Sequence, residues 1–145
     1  MADSHISGPL ISTAGFQGAL TGAVTGNVTG NLTGNATGNV SLPIGTVAGA
    51  GTDNTNAAAL AAGVNVVTGG NGTVGVILPT ATATNSTMVI VKNNAAAILK
   101  VYPSASAAIN GLTATTGAIS MAANTSALFF STSATQYYTL PLLPS

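Results

Sequence analysis

From Leu20 onward the chain repeats every four residues. Leu20-Thr21-Gly22-Ala23 is followed by Val24-Thr25-Gly26-Asn27, Val28-Thr29-Gly30-Asn31, Leu32-Thr33-Gly34-Asn35 and Ala36-Thr37-Gly38-Asn39, and the run closes at Val40. A period of four is commensurate with the two-residue alternation of a strand and drifts around a helix. Glycine at every fourth position also opposes a helix, by about 1 kcal/mol each relative to alanine. Extended, the segment places Leu20, Val24, Val28, Leu32, Ala36 and Val40 on one side, alternating with glycines, and Thr and Asn on the other. Such a strand spans roughly 70 Å at about 3.3 Å per residue, well beyond an ordinary lone strand. Its backbone N–H and C=O groups need partners. Three copies wound about an axis meet both demands: apolar residues point to the axis, backbones bond between chains, and cyclic closure leaves no open edge. The pattern thus predicts an intertwined homotrimeric β stalk, with those six residues as its axis positions. A flexible Gly/Thr/Asn linker and a single-chain solenoid are the two competing readings.

The second half changes pattern. Pro43 ends the repeat, and Gly45-Thr46-Val47-Ala48-Gly49-Ala50-Gly51-Thr52 reads as a hinge. β-rich runs bounded by turn residues follow at about Gly63–Thr68, Val74–Leu78, Thr87–Lys92, Ala97–Tyr102, Ala118–Ala122, Ala127–Ser131 and Tyr137–Leu140. Gly69-Gly70-Asn71-Gly72 is a hairpin signal, and the alanines of Asn56–Ala62 favour a helical turn. The expected fold class is all-β: an N-terminal arm (1–19), the tetrad stalk (20–44), a hinge (45–56) and a small antiparallel β-sandwich or barrel (57–145). Alternation assigns Val89, Val91, Leu99, Val101, Ile119, Leu128, Phe130 and Tyr138 to core or interface. It leaves Ile90, Phe129 and Tyr137 for a subunit contact, although a one-residue slip reverses the choice.

Composition narrows the function. The 145 residues carry four formal charges, Asp3, Asp53, Lys92 and Lys100, so 3% of the chain is charged, against about 25% in an ordinary soluble domain. Without cysteine there is no disulfide framework. Two lysines do not neutralise the phosphates of a nucleic acid. Mean hydropathy of +0.53 is opposite to that of a disordered chain. No apolar run reaches the roughly 18 residues of a membrane helix, and Met1-Ala2-Asp3-Ser4-His5 lacks the basic start of a secretory signal. Synthesis in a host cytoplasm is expected. Net charge near zero favours association, so a chain of this kind is expected to live inside an assembly.

Two resemblances sharpen this. Val24-Thr25-Gly26 and Val28-Thr29-Gly30 are similar to the Val-x-Gly repeat of triple-stranded β-helices in phage needle and fibre proteins, though the tetrad is shorter than their octad. In the second half, Gly63-Val64-Asn65-Val66-Val67-Thr68, Gly75-Val76-Ile77-Leu78-Pro79, Val101-Tyr102-Pro103-Ser104, Ala108-Ile109-Asn110-Gly111-Leu112, Ser126-Ala127-Leu128-Phe129-Phe130 and Gln136-Tyr137-Tyr138-Thr139-Leu140 follow in an order that resembles small β domains of tailed-phage head decoration (cement) proteins and head fibres. The opening Ser7-Gly8-Pro9-Leu10 with Gly15-Phe16 resembles the arm preceding Thr-Gly-Asn repeats in such proteins. The resemblance implies a homotrimer on the virion surface, bound to the major capsid protein, with no enzymatic role. Pro9, Leu10, Ile11 and Phe16 are its candidate capsid contacts.

Catalytic, cofactor and metal sites are not expected. His5 is the sole imidazole and has no nucleophile constellation beside it. Asp53, in Gly51-Thr52-Asp53-Asn54-Thr55, offers one carboxylate, too little charge for a tight calcium site, so a turn or cap role is expected. Glycosidase chemistry usually uses two close carboxylates, and the chain holds only Asp3 and Asp53. Lys92 and Lys100 read as solubilising edge charges. The second functional reading is a fibre or adhesin whose C-terminal domain binds host carbohydrate through Tyr102, Tyr137 and Tyr138. The tetrad makes one direct prediction: Val28→Asp abolishes the trimer, read as a fall to monomer mass by light scattering, whereas an unchanged trimer mass removes Val28 from the axis.

Overall fold

The computed structural model describes residues 41–84 and 86–142. Ten strands occur among them: β1 (Ile44–Ala48), β2 (Ala58–Ala59), β3 (Gly63–Thr68), β4 (Gly75–Ile77), β5 (Met88–Asn93), β6 (Leu99–Tyr102), β7 (Ala108–Ile109), β8 (Ile119–Met121), β9 (Ser126–Ser133) and β10 (Gln136–Leu142). The described residues form no helix, and the fold is all-β. A larger sheet has the order β1-β3-β5-β9-β10-β7, and a smaller one β2-β4-β6-β8.

The pairing is mixed, which corrects the antiparallel expectation. β1, β3 and β5 run parallel in the larger sheet, and β2, β4 and β6 run parallel in the smaller one. The cause is the path of the chain. From β1 to β9 it changes sheet at every step, so neighbours within a sheet are separated by a strand of the other sheet. The returns β1–β3, β3–β5, β2–β4 and β4–β6 cross over rather than fold back, and a crossover brings strands in parallel. Antiparallel pairing enters with β5–β9, β9–β10 and β6–β8.

The same path overturns two local expectations. Gly69-Gly70-Asn71-Gly72 does not close a hairpin; it carries the chain from β3 in one sheet to β4 in the other. There the Asn71 side-chain oxygen accepts from the amides of Thr73 (3.0 Å) and Val74 (2.9 Å), an Asx turn. The segment read as a hinge, 45–56, is built into the fold. β1 lies against β3, with the Val64 amide donating to the Pro43 carbonyl (2.8 Å) and the Gly49 amide to the Thr68 carbonyl (2.7 Å). Ala50 then bridges Gly75 of the smaller sheet. The glycines suggested flexibility, but Thr46 and Val47 favour a pleated surface.

One apolar core lies between the sheets. Val67, Val89, Val91, Phe129, Tyr137 and Ile109 come from the larger sheet, and Val76, Leu99, Val101 and Met121 from the smaller. Alternation in β3 (Gly63, Asn65 and Val67 inward) and in β5 (Val89, Val91 and Asn93 inward) is regular. Two amides share this interior. The Asn65 side chain turns back to the Ala61 carbonyl (2.9 Å). Asn93 donates from its amide nitrogen to the carbonyls of Ala97 (2.9 Å) and Ala122 (2.9 Å), with Met121 at 3.2 Å, and accepts from the Ala95 amide (3.1 Å). It thereby ties the end of β5 to the end of β8.

The face assignment of β9 and β10 is reversed from expectation. Phe129 and Tyr137 are fully buried, while Leu128, Phe130 and Tyr138 lie on the outside. The register explains this. Val89 sits opposite Phe129 and Val91 opposite Ala127, while Tyr137 sits opposite Ser131. Adjacent aromatics at 129–130 and 137–138 make alternation blind to which member turns inward. Val89, Val91, Leu99 and Val101 are buried as expected. Accordingly, Phe129→Ala costs about 3–5 kcal/mol, the range for truncating a buried aromatic, and Phe130→Ala clearly less. Urea unfolding of the two variants checks this; equal losses would reverse the register.

Candidate functional site

The outer side of the larger sheet is apolar as well. Cross-strand partners Ile44, Val64, Ile90, Leu128 and Leu140 form one row across five strands. A second row joins Met88, Phe130 and Tyr138. Ile44 is 75% exposed, Leu140 54%, Met88 50% and Tyr138 43%. Val64, Ile90, Leu128 and Phe130 fill the spaces between them, half-buried. The rings of Phe130 and Tyr138 lie 6.1 Å apart with a 36° tilt, within the distance range of favourable aromatic pairs. A third row adds Thr46, Val66, Lys92 and Ser126. Lys92 is the only charged residue in these rows, and its ammonium donates to the Asn124 carbonyl (2.5 Å). This face sets the described domain apart: isolated exposed apolar residues are ordinary, and a contiguous patch marks an interaction surface.

The smaller sheet is treated differently. Tyr102 lies on its outer side and is buried, because its hydroxyl donates to the Thr52 carbonyl (2.5 Å) and the 51–57 turn folds over it. Gly75 makes room: a β-carbon there would lie 2.5 Å from the Tyr102 ring. Gly51 starts the turn at φ +63°, a conformation glycine adopts without strain. Asp53 holds the turn. Its carboxylate accepts from the Thr55 hydroxyl (2.6 Å), the Thr55 amide (2.8 Å) and the Asn56 amide (3.2 Å), while the Ala57 amide donates to the Asp53 carbonyl (2.9 Å). This is the turn and cap role expected for Asp53. It also turns the helical preference of Asn56–Ala62 into a single turn that ends at β2. The Thr55 hydrogen bonds hold the Asp53 carboxyl below its ordinary value. Lys100 donates to the Ser120 hydroxyl (2.7 Å) across β6 and β8.

A shallow cleft of about 360 Å³ adjoins the apolar face at Phe130. Thr82, Ala83, Thr84, Ser86, Ser131 and Thr132 line the rest of it. These are hydroxyl and methyl groups, able to hydrogen-bond and unable to transfer a proton near neutral pH. Of the three tyrosines offered to a carbohydrate, Tyr102 and Tyr137 are buried and Tyr138 alone is exposed. Tyr137 donates to the Pro79 carbonyl (2.9 Å), and burial raises its phenol above the ordinary value. Among the described residues, no three His, Cys, Asp or Glu side chains cluster as metal ligands. Among the described residues there is no helix long and apolar enough to cross a membrane.

The six axis positions (Leu20, Val24, Val28, Leu32, Ala36 and Val40) and the capsid contacts (Pro9, Leu10, Ile11 and Phe16) lie outside the described residues, as do Asp3 and His5. Ile90, which alternation leaves for a subunit contact, lies in the central row of this face. Met88, Leu128, Phe130, Tyr138 and Leu140 complete a surface that only the register reveals. Compared with known proteins, the chain matches no family model, no curated protein and no solved structure.

The Asp53 turn carries a pH prediction. A carboxyl held below its usual 3.8 in the folded chain stabilises the fold fully above that value, and the contribution is lost as pH falls through the folded value. Thermal melts are therefore expected to lose stability below pH 3.8, and Asp53→Asn to flatten that acid limb. An unchanged acid limb in the variant means the turn does not depend on the ionised carboxylate.

Proposed function

We propose that the chain is a virion structural protein, a homotrimeric decoration (cement) protein that binds across subunits of the major capsid protein and stabilises the head of a tailed bacteriophage. The observation that carries this reading is the broad apolar sheet face on a chain with only four formal charges. A surface of that kind suits permanent burial against protein. It offers a nucleic acid no phosphate contacts. The tetrad of residues 20–40 supplies the stalk in this proposal, and the arm around Pro9–Phe16 the grip on the shell. Joining three weak contacts in one rigid body raises their effective concentration, so each copy need bind only modestly. Scarce charge makes those contacts apolar and hydrogen-bonded, and so little screened by salt. No catalysis, cofactor or metal enters this role.

A second reading has one observation in its favour. The hydroxyl-lined cleft beside Phe130 and Tyr138 has the makings of a shallow sugar site, as a head fibre or adhesin requires. It rests on one exposed tyrosine, because the other two are buried. Copy number separates the readings: a cryo-electron map of the particle shows many copies over the shell for a decoration protein and a few at vertices or tail for a fibre.

Removal of residues 1–42 tests the attachment directly. Pro43, which pairs with β3, is retained, so the shortened chain is expected to melt cooperatively and to fail to bind capsids that lack the protein. A truncated chain that still decorates capsids moves the attachment to the β domain and overturns the role given to the arm.

A further inference from the structure

Proteins guard the edges of their sheets, and the larger sheet guards only one of its two. At one end, β7 covers Gln136 and Tyr137 of β10. Beyond β7 the Asn110 side chain stands in for a strand: its oxygen accepts from the Thr139 amide (3.1 Å) and its nitrogen donates to the Thr139 hydroxyl (2.7 Å). Pro141, the next β10 residue of the same parity, has no N–H to offer. β1, at the other end, carries none of these devices. Ile44-Gly45-Thr46-Val47-Ala48 holds no charge and no proline, and its register with β3 has no bulge. The Pro43 carbonyl and the Gly49 amide point to β3. By alternation Gly45 and Val47 do as well, and the N–H and C=O groups of Ile44, Thr46 and Ala48 point away from the sheet. Among the described residues those outward groups have no backbone partner. The complement of such an edge is an extended strand.

We infer that this strand is β1 of a second copy of the chain, paired antiparallel across a twofold axis at Thr46. The sequence of β1 fits itself in that register. Ile44 falls opposite Ala48, Gly45 opposite Val47, and Thr46 opposite its own counterpart, so large meets small on both sides of the ladder. At Gly45 there is room for the facing valine: a β-carbon built there would have no heavy atom within 4 Å. Two facing threonines are a favourable cross-strand pair. The outward residues Ile44, Thr46 and Ala48 are evenly spaced about the axis, so each N–H meets a C=O. Charge raises no obstacle, because β1 and its neighbour β3 carry none. The twofold axis also closes the contact, since one copy uses up the edge of the other. A ladder of five residues is a small contact, so the pairing is expected to depend on concentration. This pairing goes beyond the function proposed above and requires neither the stalk nor the capsid.

The full chain contains no cysteine, so introduced thiols report the register. The probe is a bis-methanethiosulfonate spanning about 5 Å, the separation of directly opposed side chains. Thr46→Cys is expected to cross-link between copies at least about tenfold faster than a control thiol, because paired residues meet at a high effective concentration. Ala114→Cys, exposed in the loop after β7, is that control. Ile44→Cys and Ala48→Cys each lie about 13 Å out of step with their own counterparts; alone they stay uncoupled, and mixed together they cross-link. Thr46→Lys sets like charges on the axis while keeping every backbone group. It is expected to halve the mass of the concentrated full chain in light scattering and to leave the circular dichroism spectrum unchanged. Cross-linking of Thr46→Cys at the control rate, self-coupling of Ile44→Cys or Ala48→Cys, or a mass unmoved by Thr46→Lys overturns the inference. The mass that Thr46→Lys retains tests the trimeric reading separately: a trimer upholds it and a monomer overturns it, and the halving supports the β1 pairing in either case.

Discussion

The larger sheet is apolar on both sides, and only one side is covered within the described domain. Val89, Val91, Phe129 and Tyr137 turn inward, while Ile90, Leu128, Phe130 and Tyr138 turn outward from the same two-residue alternation. An antiparallel sheet with one wet face ordinarily shows polar residues there. Here the hydrophobic effect acts on both faces, and the internal core satisfies one of them. The rest of the described domain can be understood as a frame for that second face.

Among the described residues no ion pair holds that frame. Its fixed points are three side-chain amides and one carboxylate bonded to backbone: Asn93 between β5 and β8, Asn65 on the turn before β3, Asn71 in the crossover, and Asp53 in the turn that covers Tyr102. The buried amides Asn65 and Asn93 are costly unless their partners are met; Asn65 meets its partner locally and Asn93 in the facing sheet. The three amides are neutral, so their hydrogen bonds are not screened by salt.

Much of the strand inventory was legible because β-branched runs between Gly, Asn and Pro are unambiguous. β3 spans Gly63–Thr68, the run the pattern marks, and β4, β5, β6, β8, β9 and β10 overlap their expected runs. β1, β2 and β7 were missed because alanine and glycine carry little strand signal, and two of the three are two-residue strands. The parallel pairing was not legible, since it follows from the chain changing sheets, and local composition does not encode that. The outward turn of Phe130 and Tyr138 was lost for a simpler reason: each has an aromatic neighbour of similar size, and only the opposition of Val89 to Phe129 decides between them.

The order of the strands also bears on how the domain is made. Among the described pairings, β9 with β10 is the single one between strands that follow each other along the chain. Every other ladder closes a long loop, and long loops are slow to close. The hairpin that needs least searching is the most carboxyl-terminal pair of strands among the described residues. β5 joins this hairpin to the parallel part of the sheet, with β3 on one side and β9 on the other. The larger sheet is complete only when β9 and β10 have joined it, since β9 is the strand that links β5 to β10 and β7.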